Sequence, residues 1–236
     1  VVGGTDVHNS LTAIEEDNFY GKHVSQEPSP RRASEASTKG LGFTRYDWQY
    51  TAAGYAAVWA TDNTREALWD AMKRKEVYAT SGTRMTVRLF GGWDFIEADA
   101  RSRSLADAGY ARGVPMGGDL PAAPGSRKAP SFLVAAMKDA QGGNLDRIQI
   151  IKGWVDAKGE PHEKIYDVAW GDAHRRKPNR KGNLPVVGDT VDVATATWTN
   201  TIGDPELAAV WTDPDFDPAL RAFYYGRVIE IPTPRW

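Results

Sequence analysis

From Gly82 to the C-terminus, apolar residues recur at every second position, and this alternation restricts the chain more than any other feature. Seven runs carry it: TRMTVRLFGGWDF, SFLVAAMKDA, LDRIQIIKGWVD, KIYDVAW, DTVDVATATWT, ELAAVWTD and LRAFYYGRVIEI. Gly, Pro, Asp and Asn separate them. Successive side chains of a strand point to opposite faces, so such runs suit sheets with one packed face. Short strands divided by turn signals, with Trp93, Trp154, Trp170, Trp198 and Trp211 among them, predict an antiparallel β-sandwich over residues 84–236. The tryptophans read as its core rather than as a sugar-binding platform, a point that an exposed aromatic pair would reopen.

Residues 1–83 follow another pattern. VVGG reads as a buried strand that runs into TDVHNS, so the chain is expected to begin inside a longer polypeptide. The stretch to about residue 50, with SQEPSPRRASEASTKG, reads as a long surface loop. NTREALWDAMKRKE then predicts a helix. Asn63 and Glu66 have the spacing of a capping box, and Ala67, Leu68, Ala71 and Met72 form an apolar stripe. Lys73, Arg74 and Lys75 fall where the helix dipole favours cations. The expected fold is α+β and mainly β, with domains at 1–83 and 84–236.

Composition narrows the chemistry. The chain has no cysteine, so any metal must be held by His, Asp or Glu, and there are four histidines. The formal net charge of −2 argues against nucleic acid or an anionic membrane surface as partner. No stretch approaches the ~18 apolar residues of a membrane span. In GTDVH, Asp6 and His8 are two apart, so on a strand both project from one face beyond its carboxyl end. A carboxylate beside an imidazole is half of a site for Zn, Mn or Fe. On spacing alone the commoner outcome is an ordinary turn, with Asp6 as its cap and His8 a part-buried polar residue. Gly3 and Gly4 leave room for close packing just before the pair.

Other residues carry weaker signals. His23 is a candidate ligand or proton shuttle, and a hydrogen-bonded loop histidine is the alternative. Glu15, Glu16 and Asp17 read as a solvated turn that could supply bases or ligands. Arg84 is a candidate for binding an anionic substrate group, with a surface ion pair as its alternative. Asp213, Asp215 and Asp217 alternate in TDPDFDP, but this lacks the Gly and Glu of a calcium loop and reads as structure. HRRKPNRKGN reads as a solvated connection, with no interleaved aromatics for base stacking.

GTDVH resembles the last metal-binding motif of the polymerase-and-histidinol-phosphatase (PHP) metallohydrolase superfamily. NTREALWDAMKRKEVYATSG is similar to the segment that follows it in the carbaryl-hydrolase-like branch. The phrases from RMTVRLFGGWDF through GVPMGGDLP to AVWTDPDFDP and FYYGRVIEIPTPRW resemble the C-terminal half of the bacterial domain-of-unknown-function 3604 family. The resemblance implies the C-terminal end of a distorted α/β barrel, whose two or three divalent metals take further ligands from an upstream H-x-H motif that this chain lacks. It implies Asp6 and His8 as metal ligands, a small-molecule phosphoester, carbamate or amide substrate, and a barrel portion upstream in the same polypeptide as the partner. The chain by itself is expected to be inactive, and a periplasmic or secreted location is expected over a cytoplasmic one. The competing expectation is a non-catalytic β-sandwich that serves as a structural or binding module.

Overall fold

The computed structural model describes residues 3–4, 29–31, 34–40, 42–49, 54–125 and 128–234. Its first elements are a hairpin of β1 (Ala36–Gly40) and β2 (Phe43–Tyr46), followed by a 3₁₀ turn at Asp47–Gln49. The supposed surface loop therefore contains a strand pair. Gly40 and Gly42, both at positive φ, let STKG and FTRY fold back on each other.

Next, β3 (Tyr55–Val58) and β4 (Val77–Thr80) pair antiparallel around α1 (Arg65–Lys73). The α1 cap is Thr64 rather than Asn63: the Thr64 hydroxyl accepts from the Ala67 N–H at 3.3 Å. Ala71 is fully buried and Ala67 and Leu68 are half-buried, whereas Met72 faces solvent, so the apolar stripe is narrower than its spacing suggests.

Two antiparallel sheets follow. One has the order β10 (Glu206–Thr212), β7 (Ser131–Met137), β5 (Thr86–Gly92), β6 (Gly113–Pro115). The other has the order β11 (Ala222–Glu230), β8 (Leu145–Val155), β9 (Pro161–Trp170). They share a core: Val134, Ala136 and Leu207 from the first meet Leu145 and Ile148 from the second, with Leu89 and Val228 packed against them. The alternation thus gives a mainly β fold of facing antiparallel sheets, and the described residues form no closed barrel.

Of the seven alternating runs, DTVDVATATWT is not a strand. Asp192 and Thr197 form an isolated bridge, Ala196 sits at φ 52°, and Val193 is 88% exposed. Its Val and Thr residues favour extended backbone, but no sheet face receives them.

Cross-strand register orders the outer face of the four-stranded sheet into rows. These are Phe90–Leu133–Val210, Arg88–Ala135–Ala208 and Thr86–Met137–Glu206. The first row lies under α2 (Glu97–Ala100) and α3 (Leu105–Arg112), where Phe95, Leu105 and Ala106 cover it. Gly109 permits this approach: a Cβ there would sit 2.5 Å from the Phe90 ring.

Candidate functional site

Asp6, His8 and His23, with Glu15, Glu16 and Asp17, lie outside the described residues. The two glycines before Asp6 do not. A Cβ on Gly3 would come within 1.9 Å of the Tyr55 carbonyl oxygen, so only glycine lets the backbone pass this close to β3. On the neighbouring Gly54, a Cβ would meet the Thr80 carbonyl at 2.9 Å and that of Gly4 at 3.2 Å. The approach to GTDVH is thus seated on the β3–β4 pair.

Arg84 belongs to the same neighbourhood. Its main-chain N–H donates to Asp139 Oδ2 at 2.6 Å, and its guanidinium lies 5.6 Å from the centre of the Tyr55 ring. The structure therefore brings Arg84 and the Gly3–Gly4 segment to a single residue, Tyr55. Among the described residues, no group of three or more His, Asp or Glu side chains is placed to hold a metal ion.

The densest polar cluster lies at one end of the sandwich, and sequence reading did not find it. Ile148, Ile150, Lys152 and Trp154 share one parity of β8, so a lysine is directed between the sheets. Its ammonium donates to Asp213 Oδ2 at 2.7 Å and to the Asp215 carbonyl at 2.6 Å, with the Trp154 ring 5.4 Å away. Asp213, one residue past β10, is almost wholly buried and also accepts from Tyr224 OH at 2.6 Å and the Asp215 N–H at 2.9 Å. Asp215 Oδ2 in turn accepts from Lys164 Nζ and Tyr166 OH, each at 2.5 Å. The TDPDFDP segment is therefore structural, as read: Asp213 neutralises the inward-facing Lys152, and Asp215 pairs with the exposed Lys164.

Titration follows this geometry. The Lys164 ammonium and then the Tyr166 hydroxyl hold the Asp215 carboxyl below its ordinary range. Burial, reinforced by hydrogen bonds to Asp213 and Asp215, pushes the Tyr224 and Tyr166 phenols well above theirs. Each of these lysines and aspartates has a partner in the cluster, which ties β8, β9 and β11 to the segment after β10.

Two further networks have the same character. HRRKPNRKGN is exposed apart from Arg176, which is buried. Arg176 donates to Asp146 Oδ1 at 2.7 Å and to the Gly171 and Pro185 carbonyls at 3.0 and 2.9 Å. The five donors of a guanidinium explain why one arginine of that basic run turns inward: it ties the loop to β8. The second network centres on Glu76, a buried acid after α1. Its carboxylate meets Arg88 Nη1 at 3.5 Å, Arg74 Nη2 at 3.4 Å and the Tyr110 hydroxyl. An exposed aromatic pair does exist, Phe223 and Tyr225, with centroids 6.3 Å apart.

The family model described as "Protein of unknown function (DUF3604)" matches residues 1–236. No curated protein and no solved structure matches the chain.

Proposed function

Since the chain belongs to the family "Protein of unknown function (DUF3604)", we propose that it is the C-terminal portion of a PHP-type metal-dependent hydrolase acting on phosphoesters, or on carbamates or amides. Residues 1–83 are the last part of the catalytic barrel, and the remaining ligands come from a portion upstream in the same polypeptide. Asp6 and His8 are hard-to-borderline donors suited to zinc, manganese or iron. A bound metal of this kind lowers the pKa of its water and stabilises developing negative charge. His23 relays protons. Arg84 engages an anionic group of the substrate through its planar guanidinium.

The observation that supports this reading is the convergence at Tyr55. Gly3 passes its carbonyl too closely for any side chain to fit, and Arg84 lies over its ring. The β3–β4 pair would then position both Gly3, three residues before Asp6 in the sequence, and Arg84.

The test uses the longer polypeptide, loaded with manganese or zinc, on phosphoester and carbamate substrates. Asp6→Ala and His8→Ala should each lower metal content and reduce kcat by about 100-fold or more, because misplacing a reacting group by ~1 Å costs that much. Arg84→Ala should raise KM for the phosphoester and leave KM for the neutral carbamate unchanged. Unaltered turnover with intact metal content in the Asp6 and His8 variants overturns the reading.

A second reading, a non-catalytic sandwich, is favoured by the Lys152, Arg176 and Glu76 networks, in which polar groups turn toward one another. Metal absent from the longer polypeptide, with its fold retained, would leave this reading standing.

A further inference from the structure

The uncovered part of the outer face of the four-stranded sheet is concave for a reason visible in its register. Next to the row covered by α2 and α3 comes Arg88–Ala135–Ala208, in which two methyl groups stand where the neighbouring rows have Leu133 with Val210 and Met137 with Glu206. The result is a trough of about 590 Å³, floored by alanines and walled by Trp59 and by Arg101–Arg103 of the α2–α3 turn. Arg101 and Arg103 reach its rim from that turn.

Arg88 is the fixed member. Its guanidinium lies 3.4 Å from the centre of the Trp59 ring, and Nη1 donates to Tyr110 OH at 2.8 Å and faces Glu76 at 3.5 Å. All of its hydrogen bonds among the described residues leave from Nη1, and its side chain keeps 22% exposure. Stacking and a buried acid thus immobilise a cation whose Nε and Nη2 make no bond to the described residues, which is the preparation that bidentate anion recognition needs. Arg101 pairs with Glu97, and Arg103 has no acid partner among the described residues. Glu206 also lines the trough, but it sits on β10, two strands from β5. Two strand spacings of about 4.8 Å put its backbone roughly 10 Å from that of Arg88.

We propose that this trough binds a small organic anion, a carboxylate or phosphate on a flat apolar body, with the anion held by Arg88 and Arg103 and the body resting on Ala135 and Ala208. The site is built on the sheet and does not rest on the hydrolase reading.

Calorimetric titration of the chain at low ionic strength with benzoate and with phenyl phosphate tests it. Saturable one-to-one binding of either compound is expected, and which one binds identifies the anion. Two substitutions at exposed positions should leave the melting temperature unchanged. Arg103→Ala should weaken binding roughly tenfold, the scale of one charge-assisted hydrogen bond. Ala208→Trp should fill the trough and abolish binding. Failure of both compounds to saturate, or saturation unaffected by either substitution, overturns the proposal.

Discussion

A single lysine shows how a residue can follow the alternation and violate its chemistry. Lys152 has the parity of Ile148 and Ile150, so the period-two pattern places it in the core, where an unpaired ammonium is prohibitively costly. The sequence therefore held a signal for the missed cluster: an inward lysine requires an acid, and TDPDFDP supplies it. What it could not show was which strand end would bring Asp213 across, because that depends on sheet order. Removing one partner leaves the other charge buried and alone. Asp213→Ala should therefore destabilise the chain by about 3–5 kcal/mol, and replacing the pair together, Lys152→Met with Asp213→Leu, should cost less than the sum of the single changes. Urea denaturation of the three variants measures both.

The same cluster sets two limits of pH. Asp215 is held low in the folded state, chiefly by Lys164, so it contributes stability that is present above the unfolded carboxylate pKa of about 4. That contribution is lost as pH falls through the lowered folded value. Asp172 acts in the same direction, through the Gly203 N–H first and Arg175 next. Tyr166 and Tyr224 are raised by burial first, so their contribution is complete below the unfolded phenol pKa of about 10 and declines as pH rises above it. The denaturation midpoint should therefore fall on both sides. In Tyr224→Phe the alkaline decline should be shallower; an unchanged alkaline slope would remove Tyr224 from this account.

At the scale of elements, local pattern succeeded where packing agreed with it. Six alternating runs became strands because each had a facing sheet, whereas DTVDVATATWT, with the same β-forming residues, had none. HRRKPNRKGN is the exposed connection its composition suggests except at Arg176: composition marks a loop as polar but cannot mark Arg176 as the residue that finds Asp146. The α1 boundary moved by one position because Asn63 and Thr64 are both good caps, and the backbone turn selected Thr64. Thr64→Ala should accordingly cost about 1 kcal/mol, and Asn63→Ala should change stability by less than about 0.5 kcal/mol. Thermal melts of the two variants distinguish the caps; equal losses would mean that Asn63 also caps.

For the whole molecule, the question is how residues up to 83 are joined to the sandwich. Composition and period change there, but the contacts are not confined to either side. Trp59 Nε1 donates to the Val87 carbonyl at 2.9 Å, and Tyr78 OH donates to that of Met85 at 3.0 Å. Arg88 of β5 is held between the Trp59 ring and the Glu76 carboxylate. A chain cut at residue 84 would keep every sandwich strand but lose the ring and the acid that immobilise Arg88. Cation–π contact of a partly desolvated arginine contributes about 1–2 kcal/mol and each neutral hydrogen bond about 1 kcal/mol, so the loss is several kcal/mol in a domain stabilised by about 5–15 kcal/mol. Residues 84–236 should therefore fold cooperatively but unfold at a clearly lower urea concentration than residues 54–236, and Trp59→Ala should lower the midpoint of the longer piece by part of that difference. Equal midpoints for the two pieces would show that the sandwich is indifferent to the β3–β4 pair. The contacts of Trp59 and Tyr78 with β5 and its approach would then contribute nothing to the stability of the sheets.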